Sequence, residues 1–158
     1  MTRVLFVCLG NICRSPAAEA VFLRMLKEQG LENQFVVDSA GTSGYHDGEK
    51  ADSRMIEQAS TRGIEVPSIS RQFTAKDFRE FDHIIVMDDS NYKNVVALDP
   101  KGQYESKVSK LTDYASEKYQ GFDHVPDPYF GGEEGFDLVL DLLEDCCANL
   151  LNKVRGTF

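Results

Sequence analysis

A cysteine and an arginine, Cys8 and Arg14, bracket the run Cys8-Leu9-Gly10-Asn11-Ile12-Cys13-Arg14-Ser15, and Pro16 follows. A thiolate is a strong nucleophile, and a guanidinium is a planar fork that holds two oxygens of a phosphoryl group at once. The apolar run Val4 to Cys8 precedes the pair, and a helix-forming segment opened by Ser15-Pro16 follows it. Serine suits the N-cap and proline the first helical position. A tight loop between strand and helix turns backbone N–H groups inward with the helix dipole behind them. Leu9, Gly10, Asn11, Ile12, Cys13 and Arg14 would form that anion cradle. Gly10 and Asn11 are the types that tolerate the left-handed backbone such a ring needs. Positive potential from the amides, the dipole and Arg14 favours a thiolate at Cys8, placed for in-line attack on phosphorus. Arg14 then stabilises charge on the transferring group. Ser15 can serve both as cap and as hydroxyl donor to the thiolate, which improves it as a leaving group when phosphocysteine is hydrolysed.

The two residue types alone are weak evidence, because a buried structural Cys8 and a surface Arg14 fit the same letters. The strand–loop–helix context is what favours a site. A nucleotide-binding loop would end in Gly-Lys-Ser/Thr, which is missing. A redox dithiol of the thioredoxin kind would have two residues between its cysteines, whereas four separate Cys8 from Cys13.

The elements that must hold this loop can be read from hydropathy. Val4 to Cys8, Phe35 to Val37, His83 to Met87 and, more weakly, Val108 to Leu111 are apolar runs. Continuous rather than alternating apolar character predicts strands covered on both faces, hence a parallel sheet. Helices are expected from Ser15 to Gln29, from Asp52 to Arg62, after a capping box at Thr74 and Asp77, and from Asp89 to Ala97. The last helix is the clearest. Phe136, Val139, Leu140, Leu143, Cys146, Cys147, Leu150 and Val154 form one stripe, with Glu133 and Glu134 at its start and Lys153 and Arg155 at its end. On that stripe Cys146 and Cys147 read as small buried hydrophobes. Alternating β and α units predict a single-domain, doubly wound open α/β fold of about four parallel strands, helices on both faces, in the flavodoxin-like order 2-1-3-4. In such sheets ligands bind beyond the carboxyl ends of the strands, which is where Cys8 falls.

Bulk properties narrow the function. The chain of 158 residues fits one domain, spanning 1–158. A net charge of -9 argues against nucleic acid or an anionic membrane as the main partner. No apolar run reaches the roughly 20 residues of a membrane helix, and Met1 to Val7 reads as a buried strand rather than a signal peptide, so cytoplasm is the expected location. The spacings of Cys8, Cys13, Cys146 and Cys147, with only His46, His83 and His124 besides, do not suggest a metal site or a cofactor.

The stretch from Val7 to Pro16 resembles the signature of the low-molecular-weight protein tyrosine phosphatases. Asp38-Ser39-Ala40-Gly41-Thr42, Arg71-Gln72-Phe73-Thr74, Met87-Asp88 and Asp127-Pro128-Tyr129 are similar to further family landmarks, in the same order. The resemblance implies hydrolysis of phosphotyrosine and aryl phosphates through a phosphocysteine, with no cofactor. It implies phosphotyrosine proteins or peptides as partners, inorganic phosphate and oxyanions as inhibitors, and a monomer or weak self-association. It makes Asp127 the general acid and then base; Pro128 keeps it extended and neighbouring aromatics desolvate it. Tyr129 and Phe130 would wall the cleft, with Tyr45 opposite, although an exposed loop tyrosine fits Tyr45 equally well. Ile12 would touch the substrate ring; relatives acting on phosphoarginine carry a smaller polar residue there, so Ile12 favours an aryl phosphate. Asn11 and Ser39 match the family's loop support. Many relatives place a histidine near Ser68, contacting that asparagine, so the support is expected to be looser or wired differently here. Cys13 is implied as a resolving thiol for oxidised Cys8. Two rivals stay in view: arsenate reductase chemistry on the same fold, and a phosphoprotein-binding module.

Overall fold

In the computed structural model, which describes residues 1–129 and 131–155, the sheet is parallel throughout. Its strands are β1 (Thr2–Cys8), β2 (Phe35–Gly41), β3 (His83–Val86) and β4 (Val108–Lys110), ordered β2-β1-β3-β4 as expected. β1 is held on both edges, pairing with β2 from Thr2–Phe35 to Cys8–Gly41 and with β3 from Val4–His83 to Val7–Val86. Val4, Leu5, Phe6 and Val7 are fully buried, which explains their continuous apolar run. With side chains alternating, Val4 and Phe6 enter one core with Phe22, Leu26, Leu140 and Leu143, while Leu5 and Val7 enter a second with Phe73, Phe78 and Val95. Helices α1 (Arg14–Glu28), α2 (Ser53–Ser60) and α5 (Glu133–Arg155) supply the first core; α3 (Asp77–Glu80) and α4 (Asp89–Val96) supply the second.

The stripe read on α5 is buried as expected, and Leu142 and Leu151 widen it. Burial pushes the Cys146 thiol up to about 12 and holds that of Cys147 well above its ordinary value. Among the described residues, no helix is long and apolar enough to cross a membrane.

Several boundaries differ from expectation, each for a local reason. β2 continues past Val37 to Gly41 because its pairing with β1 persists to Cys8. β4, at the sheet edge, stops at Lys110, and Leu111 begins a 3₁₀ turn, Leu111–Tyr114. Asp77 does accept the Thr74 N–H at 2.9 Å, yet α3 starts at Asp77 itself, with Lys76 at the N-cap. Arg71 explains this, because its guanidinium occupies the Asp77 carboxylate at 3.1 Å and fixes that turn from outside the helix. Most relevant to function, α1 begins at Arg14 with Cys13 as N-cap and no side-chain capping bond, so Ser15 is not the cap.

Candidate active site

The sequence from Cys8 to Arg14 turns sharply between the central strand and α1, and five of its carbonyls are engaged by groups outside the turn. The carbonyls of Cys8, Leu9, Ile12 and Cys13 accept from the N–H groups of Thr42, Ser43, Asp52 and Ala17, and that of Asn11 accepts from the Ser70 hydroxyl. Among the described residues, no hydrogen bond is donated by the N–H groups of residues 9 to 13. A loop that spends its acceptors outward and keeps its donors unspent can serve as an anion ring. Leu9 stands half-exposed at its edge.

Two close approaches shape the ring. Asn11 takes the left-handed backbone at φ 56°, as its type allows, whereas Gly10 does not. At Gly10 a Cβ would lie 3.0 Å from His46 Cδ2, so any larger residue would press that side chain aside by a few tenths of an ångström. Gly41 at the end of β2 is tighter, since a Cβ would lie 2.8 Å from the Leu9 carbonyl oxygen.

The Asn11 side chain braces the ring from below. Its amide donates to Ser15 Oγ at 2.8 Å and Ser39 Oγ at 3.0 Å, while its Oδ1 accepts the Arg71 N–H at 3.0 Å. The Ser39 hydroxyl in turn donates to Glu19 Oε1 at 2.6 Å. Burial pushes the Glu19 carboxyl up to about 7, against the opposing Ser39 bond. Ser15 Oγ, already an acceptor from Asn11, lies 3.0 Å from Cys8 Sγ, so its proton is directed to the sulfur or to the Ala40 carbonyl at 3.3 Å. This tertiary engagement removes Ser15 from capping. The hydroxyl that reaches the Asn11 carbonyl is that of Ser70, not Ser68. Ser68 Oγ is buried with no partner among the described residues.

Cys8 and Arg14 are each only 3% exposed. Arg14 Nη1 donates to Asp88 at 2.7 Å and to the Val125 carbonyl at 3.1 Å, and Nη2 lies 3.6 Å from Asp127. Burial opposes the guanidinium's charge, but Cys8, Asp88 and Asp127 outweigh it and hold Arg14 above its ordinary value. Asp127 Oδ1 accepts the Tyr129 N–H at 3.1 Å. Cys13 is buried, and burial, with Asp52 and Cys8 adding, raises its thiol well above the ordinary range.

A cleft of about 360 Å³ gathers these groups: Cys8, Arg14 and Asp127 share it with Ile12, Tyr45 and Tyr129. Tyr45 lines it from the rim, 84% exposed, its ring edge-on to His46 at 4.9 Å. Phe130 lies outside the described residues. Sequence reasoning missed Asp88, Ser70 and Glu19 as contacts of the ring and its arginine. It also missed His46, which lines the cleft with Nδ1 3.1 Å from the Glu49 carboxylate. A lone histidine in a polar loop gives no signal of this.

A thiol seated at an unspent ring of donors, with a buried guanidinium closing the same loop, defines a class: phosphatases that work through a cysteine. The particular family follows from similarity along the whole length. The chain belongs to the low molecular weight phosphotyrosine protein phosphatase family, whose model matches residues 3–157. A protein of Synechocystis sp. is 53% identical over 152 residues, covering 96% of both chains. The low molecular weight phosphotyrosine protein phosphatase of Schizosaccharomyces pombe is 41% identical over 153 residues, covering 96% of each. The crystal structure of a protein tyrosine phosphatase from Entamoeba histolytica, with Hepes in its active site, superposes with a TM-score of 0.95 at 46% identity, covering 99% of each chain. The family's activity is hydrolysis of phosphotyrosine through a phosphocysteine.

Proposed function

We propose that Cys8 is the nucleophile, Arg14 the phosphoryl clamp and Asp127 the acid and then base of an aryl phosphate hydrolase acting on phosphotyrosine proteins or peptides. The observation that carries this reading is the loop itself: outward carbonyls, unspent N–H groups, and Cys8 Sγ beside Ser15 Oγ in the cleft that also holds Arg14 and Asp127. In the first step a Cys8–phosphorus bond forms as the bond to the phenolic oxygen breaks, and Asp127 gives its proton to that oxygen. In the second, water attacks phosphorus, its proton goes to the Asp127 carboxylate, and Cys8 departs as a thiolate stabilised by Ser15. The ring amides and Arg14 hold the equatorial oxygens throughout. Ile12, Tyr129 and, at the rim, Tyr45 flank the phenyl ring. Inorganic phosphate and other oxyanions compete for the same cradle, and no cofactor enters the scheme. The cytoplasm, and a monomeric or weakly self-associating state, complete the reading.

Arsenate reduction is disfavoured because a relay needs a further thiol to carry oxidation on beyond Cys8 and Cys13, and Cys146 and Cys147 are fully buried in α5. The test is phosphate release from a phosphotyrosine peptide by wild type and Cys8→Ser, with phosphoserine and phosphoarginine peptides alongside. Release from phosphotyrosine alone, lost in the variant, is expected. No release by reduced, folded wild type would overturn the reading.

A further inference from the structure

Asp127 sits on a loop, and a loop needs something to fix its height over the ring. One side chain contacts that loop directly and reaches the ring through a single intermediary, Asp52. Arg54, in the first turn of α2, donates through Nη2 to the Tyr129 carbonyl at 2.8 Å. The same guanidinium is gripped by the Asp52 carboxylate through Nε at 3.1 Å and Nη2 at 3.0 Å. Asp52 in turn donates its backbone N–H to the Ile12 carbonyl of the ring at 2.7 Å and caps α2 by accepting the Arg54 N–H. On the far side, Tyr129 donates its N–H to Asp127 Oδ1. The guanidinium plane also lies over Phe136, 4.8 Å from its centroid, and 5.5 Å from that of Tyr129. The contacts form one continuous path: Ile12, Asp52, Arg54, Tyr129, Asp127.

We propose that Arg54 is a positioning residue for the general acid, tethering the Asp127 loop to the phosphate ring through Asp52. The proposal rests on the reading of Asp127 as acid. Arginine suits the task because one planar fork serves Asp52 and Tyr129 together while stacking on Phe136; a lysine ammonium offers no such plane. Asp52 and Arg54 touch neither phosphorus nor leaving group in this arrangement. Their loss should therefore spare the ring and the nucleophile and misplace only the proton donor.

Leaving-group dependence separates these effects. A nitrophenolate departs largely unaided, whereas an unsubstituted phenolate needs the proton. Wild type, Arg54→Ala, Arg54→Lys and Asp127→Asn would be assayed for kcat/KM on nitrophenyl and phenyl phosphate, with inhibition by inorganic phosphate measured in each. Asp127→Asn should lose activity mainly on phenyl phosphate. Arg54→Ala should lose about 10- to 100-fold on phenyl phosphate and less than about threefold on nitrophenyl phosphate, because misplacing a catalytic group by about an ångström has effects of that size. Its inhibition by phosphate should be unchanged, and Arg54→Lys should fall between. Equal losses on both substrates, weakened phosphate inhibition, or no loss would overturn the tether. Full recovery with lysine would replace it by a simple charge effect and overturn it as well. A flat response of Asp127→Asn would instead show that the acid assignment itself fails.

Discussion

Replacing Ser15 by alanine isolates one step of the catalytic cycle. The hydroxyl lies 3.0 Å from Cys8 Sγ and accepts an amide hydrogen from Asn11 at 2.8 Å. Its single proton therefore goes to sulfur or, over the longer 3.3 Å path, to the Ala40 carbonyl. A hydrogen bond to a charged partner contributes about 1.5–3 kcal/mol. The thiolate is a reactant in the first step and a leaving group in the second. A thiolate stripped of its donor is a stronger nucleophile and a poorer leaving group, so the loss falls on the second step. At about 1.4 kcal/mol per factor of ten, breakdown of phosphocysteine should slow about 10- to 150-fold, while its formation changes far less. Rapid mixing with nitrophenyl phosphate reads both rates: Ser15→Ala should give a burst of one nitrophenolate per enzyme followed by a slow steady state. Phosphate trapped on Cys8 by acid quench should rise in parallel. The variant also leaves an Asn11 amide hydrogen without its partner, at about 1–3 kcal/mol, so the assay belongs well below the melting transition. Equal slowing of burst and steady state, or an unchanged kcat, would refute the role given to Ser15.

Three further outcomes are expected. Glu19 is pushed up to about 7 by burial, above its ordinary 4.5, so the native state holds the extra proton between those values and stability falls as pH rises through them, by on the order of 3 kcal/mol. Glu19→Gln should flatten that slope, read as urea midpoints at about pH 5 and about pH 8; an unchanged slope contradicts the assignment. Ser70→Ala removes the donor to the Asn11 carbonyl and should cost about 1–2 kcal/mol. Ser68→Ala removes a buried hydroxyl with no partner among the described residues and should be neutral or stabilising; melting temperatures in the reverse order would disprove the wiring. Peroxide should convert Cys8 to a sulfenic acid, which the Cys13 thiol resolves to a disulfide with loss of water. Dithiothreitol should then restore wild type but not Cys13→Ser, with the disulfide and the over-oxidised Cys8 told apart by mass; equal recovery of both would remove Cys13 from this role.

What could be read from sequence was what one element determines alone. Val4 to Val7 announced a central strand because burial on both faces forces an unbroken apolar run. The α5 stripe was legible because a single helix face meets a single core. The start of α1 was not, because capping preference is local while the claim on Ser15 comes from Cys8 and Asn11. Ser68 and Ser70 are the same letter, and only the register of their segment against residues 48 to 50 decides which reaches Asn11. Glu19 reads as an ordinary surface carboxylate of an amphipathic helix until β2 extends to Ser39 and takes it in. Gly41 stood within a recognisable stretch, yet its reason, the Leu9 carbonyl 2.8 Å from where a Cβ would sit, exists only in three dimensions.

A chain of net charge -9 must still gather a dianion. Repulsion from distant surface carboxylates is screened over about 8 Å at physiological salt, so the groups at the ring decide. Arg14 is nearly sealed from solvent, where charge contacts are screened least. Its two acidic neighbours are not equivalent. Asp88 forms an oriented 2.7 Å bond to Nη1, whereas Asp127 lies 3.6 Å from Nη2, beyond hydrogen-bonding distance. A phosphoryl group entering the ring would take the weaker contact and leave the stronger, so Arg14 stays aimed by Asp88 while Nη2 turns to the substrate. Asp127 then exchanges a cationic neighbour for a dianionic one. In the proposed scheme Asp127 is then the group placed to give a proton to the leaving phenolate. Once the phenolate had left with that proton, the same carboxylate would serve the proposed second step as base toward the water that attacks phosphorus.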